Sequence, residues 1–267
     1  MPILALSGGH KLSYGDTGEG PPLVLVHGSP GEGRSWARVM RHLADFRVLT
    51  PDLPGYGGSD PVPPQPAGRT ASIARAIAAL ISGIGEPVWL AGHSYGGNVA
   101  LHAALRAPQT VRGLLLLEPV FFRALALAGE TQAYEDARSL FGRYVERVDA
   151  ADPAATAIMV DYWFGSGAFD RLPAPVAAFL AAATARNALD VKSCFAEDLA
   201  REALRGFDRP AIVACGDDTT TVAPAIARAL ARLLPDARLR ELAGANHGML
   251  DTNPELVAAA IHALTAG

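Results

Sequence analysis

A serine flanked by glycines, Ser94 in the sequence GHSYG, is the first residue whose surroundings suggest chemistry. It follows the apolar, strand-like run VWLAGH and precedes the helix-like run YGGNVALHAAL. A nucleophilic serine at such an abrupt strand-to-helix turn has a strained backbone and requires very small residues two positions away on each side. Gly92 and Gly96 meet that requirement. The pattern predicts Ser94 as a nucleophile, with a purely structural tight turn as the alternative.

His247 is the histidine best placed to activate this serine, because a serine hydroxyl is a weak nucleophile near neutral pH and needs a base. It lies in LAGANHGMLDTNPE, after the last strand-like run and before the last helix-like run. That position predicts a loop at the carboxyl edge of the strands, the edge at which Ser94 lies. His27 and His93 lie there too, but each directly adjoins a strand, so packing or turn hydrogen bonds are expected of them.

The acid that would orient His247 is ambiguous in the sequence, although such an acid is needed to fix the tautomer and stabilise the imidazolium. Glu118 ends the apolar run GLLLLEP, where a carboxylate is costly to bury without a partner, and an imidazolium would be one. Asp217 and Asp218 follow the next strand-like run. We prefer Glu118, with Asp218 or Asp217 as the alternative acid, and each choice keeps the order serine, acid, histidine.

Two main-chain donors are expected to stabilise the oxyanion that forms when a carbonyl is attacked. One is the N–H of Tyr95 at the start of the helix-like run, where unpaired amides and the helix dipole favour negative charge. The other belongs to the loop HGSPG. Pro30 has no N–H, so Ser29 is the preferred donor, with Gly28 behind it. A simple strand-ending turn is the alternative interpretation of this loop.

Strand-like and helix-like runs alternate along most of the chain. Buried strands are predicted at 22–28, 46–52, 87–93, 111–119 and 209–217, an edge strand at 237–244, and an antiparallel opening pair at 2–6 and 10–14. Helices are predicted at 34–44, 70–83, 96–107, 223–234 and 254–265. This alternation predicts an α/β fold with a mostly parallel sheet covered by helices on both faces.

Residues 120–206 interrupt that alternation with helix-like stretches rich in alanine and aromatic residues. A helical insertion between two strands of a parallel sheet must lie above the carboxyl edge, where ligands of such folds bind. We therefore predict a core formed by 1–119 and 207–267 and a helical cap formed by 120–206. Several side chains are candidates for an apolar substrate pocket: Trp163, Tyr162, Phe164, Phe121, Phe122 and Met249.

Composition narrows the class of protein further. Half of the 267 residues are apolar and 19% are charged, which suits a sizeable core and not a disordered chain. A net charge of −4 gives no basis for nucleic-acid or anionic-membrane partners. The two cysteines, Cys194 and Cys215, form neither a disulfide framework nor a metal-binding motif. We expect a cytoplasmic protein that acts on a small molecule without a metal.

The motifs resemble those of the α/β-hydrolase superfamily over nearly the whole chain outside the insertion: HGSPG with Trp36 downstream, DLPGYGGSD, GHSYGG and GANHG. The resemblance implies a sheet of about eight strands, a helical cap between the sixth and seventh, and no metal or organic cofactor. The acid departs from the usual pattern. Thr219 stands where many relatives carry aspartate, and Glu118 resembles the arrangement in haloalkane dehalogenases and zearalenone-lactone hydrolases.

The activity that this resemblance implies is that of a serine hydrolase, which would cleave a small, largely apolar carboxylic ester or lactone through an acyl-enzyme. Ser94 argues against dehalogenase and epoxide hydrolase chemistry, because those relatives use an aspartate nucleophile. A cofactor-free perhydrolase or haloperoxidase-like activity and a C–C bond hydrolase are enzymatic alternatives. A non-catalytic ligand-binding module is an alternative of another class. The sequence leaves open a monomer or a homodimer.

Overall fold

An eight-stranded sheet forms the centre of the molecule in the computed structural model, which describes residues 1–63 and 68–266. Its strands are β1 Ile3–Ala5, β2 Lys11–Thr17, β3 Pro22–Val26, β4 Arg47–Pro51, β5 Val88–His93, β6 Val111–Leu117, β7 Ala211–Gly216 and β8 Ala237–Leu242. They lie in the order β1-β2-β4-β3-β5-β6-β7-β8. Strands β3 to β8 are parallel, and β1 and β2 form the antiparallel end of the sheet. The predicted α/β fold is confirmed.

Burial explains why the central strands read as unbroken apolar runs. Every residue of β3 and of β7 is buried, because helices cover both faces of the sheet. β8, by contrast, alternates polar and apolar residues and is largely exposed, as its edge position allows. The opening pair β1 and β2 and the edge strand β8 therefore have the places that their sequences predicted.

Helices flank the sheet in two layers. They are α1 Ala37–Met40, α2 Arg69–Ile84, α3 Tyr95–Arg106, α4 Arg123–Ala128, α5 Thr131–Asp149, α6 Ala155–Phe164, α7 Ala174–Phe195, α8 Arg201–Arg205, α9 Val222–Leu233, α10 Met249–Thr252 and α11 Pro254–Thr265. The apolar residues of α2, α3 and α9 pack on one face of the sheet, and those of α1 and α11 pack on the other. Two separate hydrophobic clusters result.

The helix predicted over 34–44 is much shorter than expected. A 3₁₀ turn covers Gly33–Trp36, and α1 ends at Met40. Beyond it the chain makes i to i−3 hydrogen bonds, from the His42 N–H to the Val39 carbonyl and from the Leu43 N–H to the Met40 carbonyl. These tighter turns bring the chain back to the start of β4 within a few residues, so the apolar periodicity here belongs to turns rather than to one helix.

Residues 120–206, all of which the structure describes, contain α4 to α8 and no strand. Within this segment α5 packs against α7, and α7 also packs against α2 of the core. The function of the segment as a cap, and its limits at 120 and 206, stay predictions. Within 1–63 and 68–266, every helix is too short or too polar to traverse a lipid bilayer.

The junction of β5 and α3 is packed so closely that it tolerates only glycine at two positions. A Cβ added to Gly92 would lie 2.3 Å from the carbonyl oxygen of Gly96. A Cβ added to Gly96 would lie 2.1 Å from the carbonyl oxygen of His27, the residue directly after the neighbouring strand β3. Both distances are far inside van der Waals contact with backbone atoms, so these glycines are required for the turn that carries Ser94.

We predict that Gly96→Ala lowers the free energy of unfolding by about 1–3 kcal/mol, because the added methyl group must displace main chain. The matched control is Gly142→Ala in α5, where an added Cβ meets no atom within 4 Å. That change should stabilise by up to about 1 kcal/mol through helix propensity. Urea denaturation measures both, and equal stabilities for the two variants would contradict the steric argument.

Candidate active site

Ser94 occupies the turn between β5 and α3 in a conformation that a residue with a side chain rarely adopts. Its φ and ψ are 56° and −127°, and it is 6% exposed. Hydrogen bonds hold it on both sides: its N–H donates to the Leu117 carbonyl at 2.9 Å, and its carbonyl accepts from the Val120 N–H at 3.1 Å. The strained backbone therefore fixes the direction of the hydroxyl at the carboxyl edge of the sheet.

His247 lies within hydrogen-bond distance of both Ser94 and Glu118. Its Nε2 is 3.0 Å from Ser94 Oγ, and its Nδ1 is 2.7 Å from Glu118 Oε2. A carboxylate only accepts, so Nδ1 carries the hydrogen and Nε2 has a free lone pair directed at the serine hydroxyl. This arrangement can remove the proton of Ser94 and hold it as an imidazolium beside a carboxylate.

Glu118 is buried, and three hydrogen bonds fix its carboxylate. Oε1 accepts from the Gly216 N–H at 3.0 Å, and Oε2 accepts from Thr219 Oγ1 at 3.1 Å as well as from His247. Its φ of 41° is again unusual for a residue with a side chain. Sequence reasoning missed the part that Thr219 plays, although its departure from the usual aspartate was the signal available. Thr219 donates to the glutamate instead of supplying the acid.

The alternative acids lie elsewhere. Asp217 and Asp218 are exposed, and their main-chain N–H groups donate to the carbonyls of Leu242 and Ala245. Asp217 Oδ1 accepts from the Gly244 N–H at 2.6 Å. Among the described residues, neither carboxylate is a hydrogen-bond partner of His247, so the alternative interpretation was wrong about their position.

Two further histidines border the site without adding charge to it. His93 Nε2 donates to the His247 carbonyl at 3.0 Å, and burial together with the nearby His247 holds the pKa of His93 well below its ordinary value. His27 donates from Nδ1 to the Gly28 carbonyl and accepts at Nε2 from the Leu53 N–H. Burial lowers the pKa of His27 to about 4. Both rings are therefore neutral near neutral pH.

Trp163 covers the imidazole of His247. The two rings are stacked, with centroids 3.8 Å apart and planes inclined by 14°. Phe164 is close too, with its ring centroid 6.4 Å from that of His247. The C-terminal end of α6 thus shields the histidine from solvent, and Trp163 also lines the cavity beside Ser94.

The residues predicted as oxyanion donors lie next to Ser94. A Cβ added to Gly28 would stand 3.0 Å from Ser94 Cβ, which places the HGSPG loop directly over the nucleophile. Ser29 and Tyr95 line the cavity with Ser94, and Tyr95 is the first residue of α3, where main-chain N–H groups have no intrahelical acceptor. Both residues predicted as main-chain donors therefore border the cavity beside Ser94.

The cavity beside Ser94 is narrow. The volume open to a water-sized sphere is about 20 Å³, room for about one water molecule. Its apolar wall consists of Val120, Phe141, Met159, Trp163 and Val191. Its polar wall includes Asn187 and Asp190 of α7, which sequence reasoning missed. The signal was present in the run RNALDVKSC, where polar residues recur at helical spacing on a helix otherwise rich in alanine.

Five of the six predicted pocket residues do not line this cavity, among them Phe164, which is exposed at the end of α6. Phe121 and Phe122 are fully buried, and Phe122 stacks on Phe195 with centroids 4.2 Å apart. Met249 is fully buried in the cluster on the opposite face of the sheet. Tyr162 lines an outer groove between α5 and α9. These predictions were wrong about position, because composition shows which segment is aromatic but not which way each ring faces.

The described residues contain no group of three or more histidine, cysteine, aspartate or glutamate side chains arranged to hold a metal ion. Both cysteines are buried as free thiols.

The mostly parallel sheet carries Ser94 after its fifth strand, Glu118 after its sixth and His247 after its eighth. Comparison with known sequences identifies the class of protein that has this arrangement. The sequence profile of the α/β hydrolase fold matches residues 21–254. The chain therefore belongs to the α/β-hydrolase fold family, which confirms the resemblance found in its motifs.

Three relatives illustrate the similarity. Lipase LipV of Mycobacterium tuberculosis is 36% identical over 155 residues, 57% of this chain, and the match spans about half of that lipase (56%). A 2-succinyl-6-hydroxy-2,4-cyclohexadiene-1-carboxylate synthase of Salmonella paratyphi C is 33% identical over 205 residues, 74% of this chain and 77% of its own. A thermophilic esterase of Thermogutta terrifontis has a similar structure, with a TM-score of 0.76, 25% identity and coverage of 99% and 97% of the two chains.

We predict that buried His27 makes the protein less stable as the pH falls from about 6.5 to about 4. The folded state holds the pKa of His27 at about 4, below the ordinary 6.5, so the unfolded chain takes up a proton first. The contribution of His27 to the free energy of unfolding is therefore fully present above pH 6.5 and is lost as the pH falls toward 4. Urea denaturation across this range should show a shallower pH slope for His27→Gln than for the unchanged protein. An identical slope would contradict the assignment.

Proposed function

We propose that this protein is a serine hydrolase that cleaves a small, largely apolar carboxylic ester or lactone through an acyl-enzyme. The observation that carries the proposal is the chain of two hydrogen bonds from Ser94 through His247 to Glu118, at 3.0 and 2.7 Å. A ligand-binding module has no need of a serine, a correctly protonated imidazole and a buried carboxylate in this order. The assembled geometry therefore favours an enzyme.

In the proposed reaction, His247 Nε2 takes the hydroxyl proton as Ser94 Oγ bonds to the carbonyl carbon. The tetrahedral intermediate collapses when the imidazolium returns that proton to the leaving alcohol, or to the ring-opened alcohol of a lactone. Water then adds to the acyl-enzyme with His247 again as base, and the carboxylic acid leaves Ser94. Glu118 keeps its charge throughout and stabilises the imidazolium.

The main-chain N–H groups of Ser29 and Tyr95 are the proposed oxyanion donors. Removing one such donor in a comparable site costs about 10²–10³-fold in kcat, so the hole accounts for a large part of the barrier lowering. Gly28 contributes by its lack of a side chain, since a Cβ there would press on Ser94 Cβ. The dipole of α3, which begins at Tyr95, adds positive potential at the same point.

The walls of the cavity support the proposed substrate class. Aliphatic and aromatic side chains form one wall, which suits a short apolar acyl or alcohol group. We propose that the helical insertion acts as a cap closed over Ser94, and that its side chains move to admit a substrate; the narrow volume of the cavity supports this. The esterase and lipase named among similar proteins are consistent with ester cleavage.

We predict that Ser94→Ala and His247→Ala each lower kcat for a short p-nitrophenyl ester by at least about 10⁴-fold, because nucleophile and base act as one unit. Steady-state hydrolysis by the purified protein measures this. A fluorophosphonate should label the unchanged protein and not Ser94→Ala. Turnover at the unchanged rate in both variants would refute the mechanism.

We predict that Glu118→Gln lowers kcat by about 10²–10⁴-fold, because the amide neither stabilises the imidazolium nor enforces the Nδ1–H tautomer. The matched control is Asp218→Asn, the same kind of change at an exposed carboxylate one strand away, and its kcat should stay within about two-fold of the unchanged protein. The reverse result would transfer the role of the acid to Asp218.

A further inference from the structure

A second buried carboxylate, Asp190 of α7, connects the helical insertion to the loop that carries Ser29. Asp190 is 1% exposed. Its Oδ2 accepts from Ser29 Oγ at 2.7 Å and from the Tyr56 hydroxyl at 2.6 Å, and its Oδ1 accepts from Arg69 Nε at 2.6 Å. The three donors come from two loops and a helix N-terminus of the core, so Asp190 joins core segments that are far apart in the sequence.

Both carboxylate oxygens of Asp190 already accept hydrogen bonds from protein groups, and this limits the role of the side chain. Three donors, one of them the cationic Arg69, occupy both oxygens and offset the cost of burying the charge. Burial and the charge of Asp190 raise the pKa of Tyr56 well above its ordinary value, so the phenol keeps its hydrogen and donates. Asp190 therefore lines the cavity as an acceptor with its bonds already made, and its chemistry suits holding protein groups rather than recognising a ligand.

Asn187, one helical turn before Asp190, also forms hydrogen bonds to Ser29. Its Nδ2 donates to the Ser29 carbonyl at 2.9 Å and lies 3.0 Å from Ser29 Oγ. The Tyr144 hydroxyl of α5 donates to Asn187 Oδ1 at 2.8 Å and fixes the orientation of the amide. In the described part of the chain, these bonds use the carbonyl and hydroxyl oxygens of Ser29, which leaves its main-chain N–H for another acceptor.

We propose that Asp190, with Asn187, is a positioning residue that holds Ser29 so that its main-chain N–H points at the oxyanion, which makes the helical insertion a structural part of the oxyanion hole. This inference rests on the proposed function. Oxyanion donors are effective when they lie about 2.7–3.1 Å from the developing negative charge. Loops hold functional groups in place less accurately than helices do. Asn187 and Asp190, which lie three positions apart on α7, bond to Ser29 and so hold its loop against a helix.

The experiment compares four variants with the unchanged protein on a short p-nitrophenyl ester: Asp190→Asn, Ser29→Ala, their combination and Ser193→Ala. Ser193 is the matched control, because it lies on the same buried face of α7 and ties it to the core through Thr70, with Oγ atoms 2.5 Å apart, without contacting Ser29. Inhibition by a trifluoromethyl ketone, which forms a tetrahedral oxyanion with the serine, is measured in parallel.

We predict that Asp190→Asn lowers kcat by about 10–100-fold and Ser29→Ala by a smaller factor, with KM within about three-fold, since only transition-state stabilisation is lost. Inhibition by the ketone should weaken in proportion to kcat/KM. The double variant should be no slower than Asp190→Asn alone, because both changes break one connection. Ser193→Ala should lower thermal stability and leave kcat and ketone binding unchanged.

Unchanged kcat and ketone affinity in Asp190→Asn and Ser29→Ala would overturn the inference, and so would equal losses in Ser193→Ala, which would assign the effect to general attachment of α7. Circular dichroism and fluorophosphonate labelling of Ser94 establish that each variant is folded. If Asp190→Asn does not fold, the kcat and ketone affinity of Ser29→Ala decide the question alone. A protein that neither turns over esters nor reacts with the fluorophosphonate would instead refute the proposed function.

Discussion

Close contact between main-chain atoms at the turn carrying Ser94 is the constraint on which the rest of the site depends. Backbone of β3 and of α3 approaches so closely there that Gly92 and Gly96 have no room for a Cβ. The same closeness lets α3 begin directly under the serine and places the Tyr95 N–H at its first position, where a helix offers no intrahelical acceptor. One steric condition thus produces the strained serine, the helix dipole and a main-chain donor together.

Two buried carboxylates hold different parts of the site. Glu118 extends from the end of β6 and bonds to the imidazole, while Asp190 extends from α7 and bonds to the loop of Ser29. Each carboxylate accepts hydrogen bonds from at least three donors, so neither is a buried charge without partners. In the proposed mechanism the first carboxylate serves proton transfer, and the second serves the geometry of the oxyanion hole.

The helical insertion contributes to the site from two directions. α6 places Trp163 flat against the imidazole of His247, and α7 reaches the opposite side of the cavity through Asn187 and Asp190. The N-terminal half of α7 is largely exposed, whereas its C-terminal half is buried against the core. The firm attachment of that half suits a positioning role.

The sequence by itself determined the α/β fold, the positions of most strands along the chain and the positions of Ser94 and His247 at one sheet edge. Periodicity, glycine spacing and chain order are local properties, and parallel strands bring their carboxyl ends together whatever the details. Tertiary structure alone decided that Glu118 rather than Asp217 or Asp218 meets the imidazole.

Tertiary structure also decided which way the aromatic side chains of the insertion face and that Asp190 holds the Ser29 loop. The physical reason is that each of these contacts joins segments far apart in the chain, and their geometry depends on how helices pack across the sheet edge. Rotation of a helix by one residue moves a side chain by about 100° around the axis, because an α-helix has about 3.6 residues per turn. No local pattern specifies that rotation, so Phe121 and Phe122 were assigned to the cavity, and the polar spacing of α7 could not show that Asp190 faces the Ser29 loop.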